Sequence, residues 1–167
     1  SSVEAWGAVQ IRVLSADTHV KASTKLVVIS RHAIAAHVEG GTIIDIPPVT
    51  TIKQWCDYYG VPIVDGVVTL FKGVDNQYQS PHGGIYTPGT TPTATDWDDG
   101  KKECGNGLHF SPHPLMALEF YAKATKFVAC LLRVTDIVVH HPATYPQKVK
   151  ARGCCAPVWE CDRRGRP

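Results

Sequence analysis

Six successive stretches of eight residues open the chain, SSVEAWGA, VQIRVLSA, DTHVKAST, KLVVISRH, AIAAHVEG and GTIIDIPP, and each closes on a small or turn-forming pair. Those pairs, Gly7-Ala8, Ser15-Ala16, Ser23-Thr24, Arg31-His32, Glu39-Gly40 and Pro47-Pro48, mark corners where the chain changes direction. Between them stand β-formers such as Val3, Ile11, Val13, Val20, Val27, Ile29, Val38, Ile43 and Ile46. A fixed period of strand and corner belongs to a repeat architecture, in which each unit buries its apolar face against the next one along. One strand of about five residues cannot close a coil alone, so two or three octads are expected to form one coil of a β-solenoid. His19 and Lys21 break the pattern where neighbouring octads carry apolar residues. The chain starts already in register and without Met, which points to the C-terminal end of a longer array.

The fold class read from these features is mainly β with a few helices. An octapeptide β-solenoid-like segment over 1–48 is followed by a capping helix or linker over 49–61 and a small α+β domain over 62–167. The helix is placed by Ile52, Trp55, Cys56 and Tyr59 at helical spacing, with Thr50 or Thr51 as N-cap and Gly60 as stop. It is expected to cover the open end of the stack. Asp65-Gly66 then marks a tight turn between two short strands. Residues 76–102 are rich in Gly, Pro, Thr and Asp around a strand-like GIYTPG, and so long a loop in a compact domain is a functional candidate. In CGNGLHFSPHPLMALEFY a short strand, Leu108-His109-Phe110, leads through Ser111 into a helix containing Leu115 to Tyr121, with Pro112 or Pro114 in its first turn. KFVACLLRVTDIVVH reads as a long central strand, and QKVKARGCCAPVWEC as one or two more.

A net charge of +2 over 167 residues, with both signs interspersed, gives no basic field of the kind nucleic acid requires. No stretch approaches the roughly 20 apolar residues of a membrane-spanning helix. The six cysteines carry no C-x-x-C pair and are expected to be reduced, with Cys130 a core thiol. A site built from Cys104, His109, Cys154 and Cys161 is the metal alternative, and His140-His141 before Pro142 reads as a solvated strand end. Together these features suit a cytoplasmic or virion-associated chain rather than a secreted one.

Gly107-Leu108-His109-Phe110-Ser111, followed by a helix and an apolar strand, resembles the second core motif of the ADP-ribosyltransferase superfamily, in its poly-ADP-ribose polymerase and diphtheria-toxin branch. There a G-[IL]-Y-F-A-type strand carries an aromatic that stacks on nicotinamide, and His109 takes that place here. Leu70-Phe71-Lys72-Gly73 is similar to the first motif, with Lys72 where the family has His or Arg to grip the ribose or phosphates of NAD. Tyr145-Pro146-Gln147-Lys148-Val149 falls where the catalytic Glu strand is expected, so Gln147 stands in for the carboxylate and Glu160 or Glu103 is an off-register substitute.

The resemblance thus implies NAD as ligand or substrate. Lys72, Gly73, His109, Phe110, Ser111 and Tyr121 become the binding residues, and His109, Gln147 and Glu160 the catalytic candidates. An amide cannot stabilise developing positive charge as a carboxylate does, so binding without transfer is the form of the expectation. The octads in turn resemble degenerate A-T-V-x-A-x-[GD]-S repeats of actinobacterial and phage proteins, through Val3 to Ala8 and Gln10 to Ala16. That second resemblance carries the alternative function: a non-enzymatic fibre, spike or assembly module with the C-terminal domain as cap. Its partner would be another protein or further copies of the chain, bound through the repeats or through an apolar cap face carrying Tyr86, Trp97 and Trp159.

Overall fold

The computed structural model describes residues 1–32, 35–100, 102–141 and 143–167; Ala33 and Ile34 of the fifth octad, Lys101 of the long loop and the Pro142 that follows His140-His141 lie outside that description. The chain is mainly β with few helices and divides into two compact units, Ser1–Pro48 and Val49–Pro167. Among the described residues no helix is long and apolar enough to cross a membrane.

Among the described residues the first unit holds six strands: β1 (Ser2–Ala5), β2 (Gln10–Val13), β3 (His19–Ala22), β4 (Val28–Arg31), β5 (His37–Glu39) and β6 (Thr42–Asp45). Odd strands form one parallel sheet, β1-β3-β5, and even strands another, β2-β4-β6. The chain therefore returns to the same sheet after about two octads, with Ser2 opposite His19 and His19 opposite His37. Side chains alternate across each strand, so Val20 is buried while His19 and Lys21 on either side face out. That resolves the break in the pattern: β3 starts one residue later than strict octads require, and His19 packs beside His37 at 5.6 Å between ring centres.

The period drifts further along. Arg31 and Glu39, read as corner residues, lie within β4 and β5. Between β5 and β6 the corner is only Gly40-Gly41, both with positive φ. A Cβ on Gly40 would stand 2.2 Å from the carbonyl oxygen of Ala22, so this corner is closed to any other residue.

In the second unit local signals act as the sequence implies. Helix α1 (Ile52–Tyr59) starts at Thr51, whose hydroxyl accepts from the Gln54 amide at 3.3 Å while the Gln54 side chain accepts from the Thr51 amide at 3.2 Å. Gly60, at φ 67°, ends it in the left-handed conformation. Its buried face, Trp55 and Cys56, joins the core of this unit. Asp65 and Gly66, with φ of 50° and 75°, make a two-residue turn closed by Val64 and Val67, whose amides and carbonyls bond both ways at 2.9 Å.

From that turn runs β7 (Val67–Val74), paired antiparallel along its length with β9 (Lys126–Arg133), which is flanked on its other side by β12 (Trp159–Cys161). The apolar strand is central, as its composition implies. A second antiparallel sheet has the order β10 (Ile137–Val138), β11 (Val149–Ala151), β8 (Leu108–Phe110). The two sheets meet where Phe71 and Ser111 exchange backbone hydrogen bonds at 2.9 Å.

Two expectations change form. The helix after Ser111 is a 3₁₀ turn over Pro114–Glu119, capped by the ring of His113 rather than by Ser111; Pro112 and Pro114 remove donors and hold the segment short. GIYTPG contributes a single bridge, Gln79 with Ile85, and not a strand. Its Tyr86 is nevertheless buried in the core with Trp55, Leu70, Phe110 and Leu132. Cys130 is fully buried, and all six cysteines are free thiols.

Candidate functional site

The site begins with the pairing of β8 and β11, which sets His109 opposite Lys150 and Phe110 opposite Val149. Alternation directs Phe110, Val149 and Ala151 into the core, so His109 and Lys150 share the other face. Lys148 precedes β11 with the same parity. From β7, Lys72 reaches the same place and its ammonium donates to the carbonyl oxygen of His109 at 2.9 Å. Lys72, His109 and Lys148 line a cleft of about 520 Å³, walled by the loop from Ser80 to Asp96 and by Phe120 and Tyr121; Lys150 lies outside its lining.

Of the residues named from sequence, Lys72, Gly73, His109, Phe110, Ser111 and Tyr121 all line this cleft. Gln147 and Glu160 do not. Gln147 donates through Nε2 to the carboxylate of Glu119. Glu160 lies on β12, where it accepts from the hydroxyl of Tyr78 and from Lys126 Nζ at 3.3 Å. Glu103 has its carboxylate occupied by the backbone amides of Thr144 and Tyr145, at 2.9 and 2.6 Å. Cys154 and Cys161 are buried apart from the lining, although Cys104 belongs to it. Among the described residues no three His, Cys, Asp or Glu side chains are grouped to hold a metal ion.

Two residues that matter here escape the motif reading. Lys148 Nζ lies 3.0 Å from Cys104 Sγ and over the rings of Phe120 and Tyr145, at 5.3 and 5.0 Å. Lys150 is fully buried, donating to the carbonyl oxygen of Gly100 at 2.9 Å, with Asp98 3.9 Å away and the Trp97 ring at 5.5 Å. The signal that reveals them is the alternation Lys148-Val149-Lys150-Ala151, a strand with one charged and one apolar face.

The electrostatics follow from crowding cations into a partly dry space. Desolvation, then Lys72 and Lys148, push His109 down to about 4, against the opposing hydrogen bond to Glu103, so its ring is neutral at pH 7. Its Nε2 stands 3.2 Å from the carbonyl oxygen of Glu103; a carbonyl only accepts, so Nε2 carries the proton and Nδ1 keeps its lone pair. Burial pulls Lys72 down to about 8, and Lys148 acts in the same direction while Cys130 opposes. Burial likewise raises the Tyr86 phenol, which stays protonated. The acidic member of the lining, among the described residues, is Asp96, and it accepts from the Gly107 amide at 3.2 Å. An anion entering the cleft would relieve the repulsion between the lysines, which makes anionic ligands the class it suits.

A pH dependence follows. His109 titrates near 4 when folded and near 6.5 when unfolded, so between those values the unfolded chain binds the extra proton and stability rises with pH. Lys72, lowered from 10.5 to about 8, adds a second rise between those two values. Thermal unfolding of the second unit should therefore show its midpoint climbing across the acidic window, with the slope reduced in His109→Gln. An unchanged slope in that variant would mean that His109 is not held neutral.

A mainly β chain with a cationic, aromatic-walled cleft is thus what the fold and site define. A family model described as a domain of unknown function (DUF7666) matches residues 68–145, which covers Lys72, His109 and Tyr121 and stops short of Gln147, Lys148, Lys150 and Glu160. No curated protein and no solved structure matches the chain.

Proposed function

We propose that the second unit binds NAD or an ADP-ribosyl group in this cleft, in keeping with its likeness to ADP-ribosyltransferases, and that it binds without transferring. The observation that carries the reading is that Lys72 and Lys148 line one cleft with neutral His109 and the aromatic residues Tyr86, Phe120 and Tyr121. The lysines suit a pyrophosphate, and the rings offer stacking partners for a base. Gln147 and Glu160 lie outside the lining, so neither offers the carboxylate that would stabilise an oxocarbenium-like centre there. The first unit is read as a β-solenoid scaffold; what supports this is the parallel pairing of strands about two octads apart.

Calorimetric titration with NAD tests the proposal. Saturable binding is expected, at least tenfold weaker in His109→Ala, with affinity falling as pH rises past about 8 and Lys72 loses its charge. No heat at millimolar NAD would overturn it and leave the chain as a structural or attachment module.

A further inference from the structure

Lys72 is unusual among the lysines of this chain in its surroundings. It reaches the cleft from the middle of β7, and its amino group bonds to a backbone carbonyl, that of His109. Among the described residues no carboxylate forms an ion pair with it. A second cation, Lys148, lines the same cleft, and Tyr86 presents its ring 5.5 Å from Nζ. A desolvated lysine beside another cation is the arrangement that leaves an amine neutral, and so nucleophilic, close to neutral pH. Here the amine titrates near 8, so about half of it is neutral at that pH, against well under 1% for a lysine in water.

We propose that Lys72 captures the carbonyl group of a phosphate-bearing sugar as an imine, with Lys148 holding the phosphate. The proposal rests on the cleft being the nucleotide site and narrows its ligand. ADP-ribose has a reducing end that opens to an aldehyde, whereas in NAD that carbon is bonded to nicotinamide. Only the first can react. The nitrogen lone pair of Lys72 attacks the aldehyde carbon and the C–N bond forms. One amine hydrogen passes to the carbonyl oxygen, giving a carbinolamine. The carbinolamine hydroxyl then leaves with the second amine hydrogen as water, and C=N remains. Nothing is oxidised or reduced, and the imine is reversible by hydrolysis.

The test incubates the full chain with ADP-ribose at pH 8 in the presence of cyanoborohydride, whose hydride reduces the imine to a stable secondary amine, and locates the adduct by peptide mass spectrometry. Lys72 should be labelled at least tenfold faster than exposed lysines such as Lys21 and Lys53, and added NAD should slow it. Lys72→Arg, which keeps the charge and a donor for the His109 carbonyl, should abolish that adduct and leave surface labelling unchanged. Lys148→Gln should slow labelling of Lys72 at least tenfold with ADP-ribose and by a much smaller factor with plain ribose, because losing that cation returns only part of the Lys72 amine to its charged form, whereas the phosphate loses its partner. Labelling spread over exposed lysines, with Lys72 unmodified, would overturn the proposal. The two readings fail separately: NAD binding with Lys72 unlabelled removes the imine and keeps the nucleotide site, and a Lys72 adduct without NAD binding does the reverse.

Discussion

Trp55→Ala is expected to lower the stability of the second unit by about 3–5 kcal/mol, the range for deleting a large buried aromatic. Trp55 is 1% exposed and packs against Tyr59 at 4.9 Å between ring centres. Its indole N–H donates to the carbonyl oxygen of Pro146 at 2.8 Å, across 91 residues of chain. That bond fastens the turn in which the amide of Lys148 donates to the carbonyl oxygen of Tyr145 at 3.0 Å, and so helps to deliver Lys148 to the cleft. Trp55→Phe separates the two contributions: it keeps most of the apolar volume but strands the Pro146 carbonyl, at about 1–3 kcal/mol. Hydrogen exchange of the β9 amides, which reports the second unit alone, measures both. The alanine variant should also bind anions more weakly at temperatures where it is still folded. A loss below about 1 kcal/mol in Trp55→Ala would show that α1 is not part of this core.

The second large effect is expected at Gly107, the first residue of the Gly-Leu-His-Phe-Ser run. Its φ of 115° belongs to a region that only glycine occupies freely. A Cβ there would lie 2.9 Å from Lys150 Cγ and 3.1 Å from Trp97 Cε3. Lys150 is fully buried and cannot swing aside. Backbone strain of about 1–3 kcal/mol adds to overpacking of similar size, so Gly107→Ala should destabilise by at least about 2 kcal/mol. Because Lys150 faces His109 across β8 and β11, the variant should also let the His109 pKa rise back from its depressed value. An NMR titration of His109 beside denaturant unfolding gives both readings. A variant as stable as the parent, with His109 unmoved, would contradict this account.

The parts legible in the amino-acid order are those governed by neighbours in the chain. Thr51 with Gln54 caps α1 and Gly60 ends it, because capping joins groups three residues apart and Gly tolerates the left-handed conformation. Asp65-Gly66 turns the chain for a similar reason, and Phe127 to Leu132 is too apolar to lie anywhere but at the centre of a sheet. Lys72 with Gly73 and His109 with Phe110 stand next to each other in two short runs of the chain, so each pair could be named from sequence, and all four line the cleft.

Pairing between distant segments decided the rest. The octads set a period of eight, but parallel pairing after roughly two of them lets strands slide, so Arg31 and Glu39 passed from corners into strands while His19 turned outward. A shift of one residue exchanges the faces of a strand, and no corner pair announces it. Gln147 was expected at the reactive centre, yet β11 begins only at Val149, and the turn before it carries Gln147 to Glu119 instead. The register of β11 on β8, 41 residues back along the chain, is what brings Lys150 opposite His109 and Lys148 to the cleft. Sequence alone thus determined the local elements and the two short motifs. The charge of the cleft was decided by the fold, because Lys72, His109 and Lys148 come from remote stretches of chain and meet, with the repulsion and desolvation that oppose their protonation, only once those stretches are packed together.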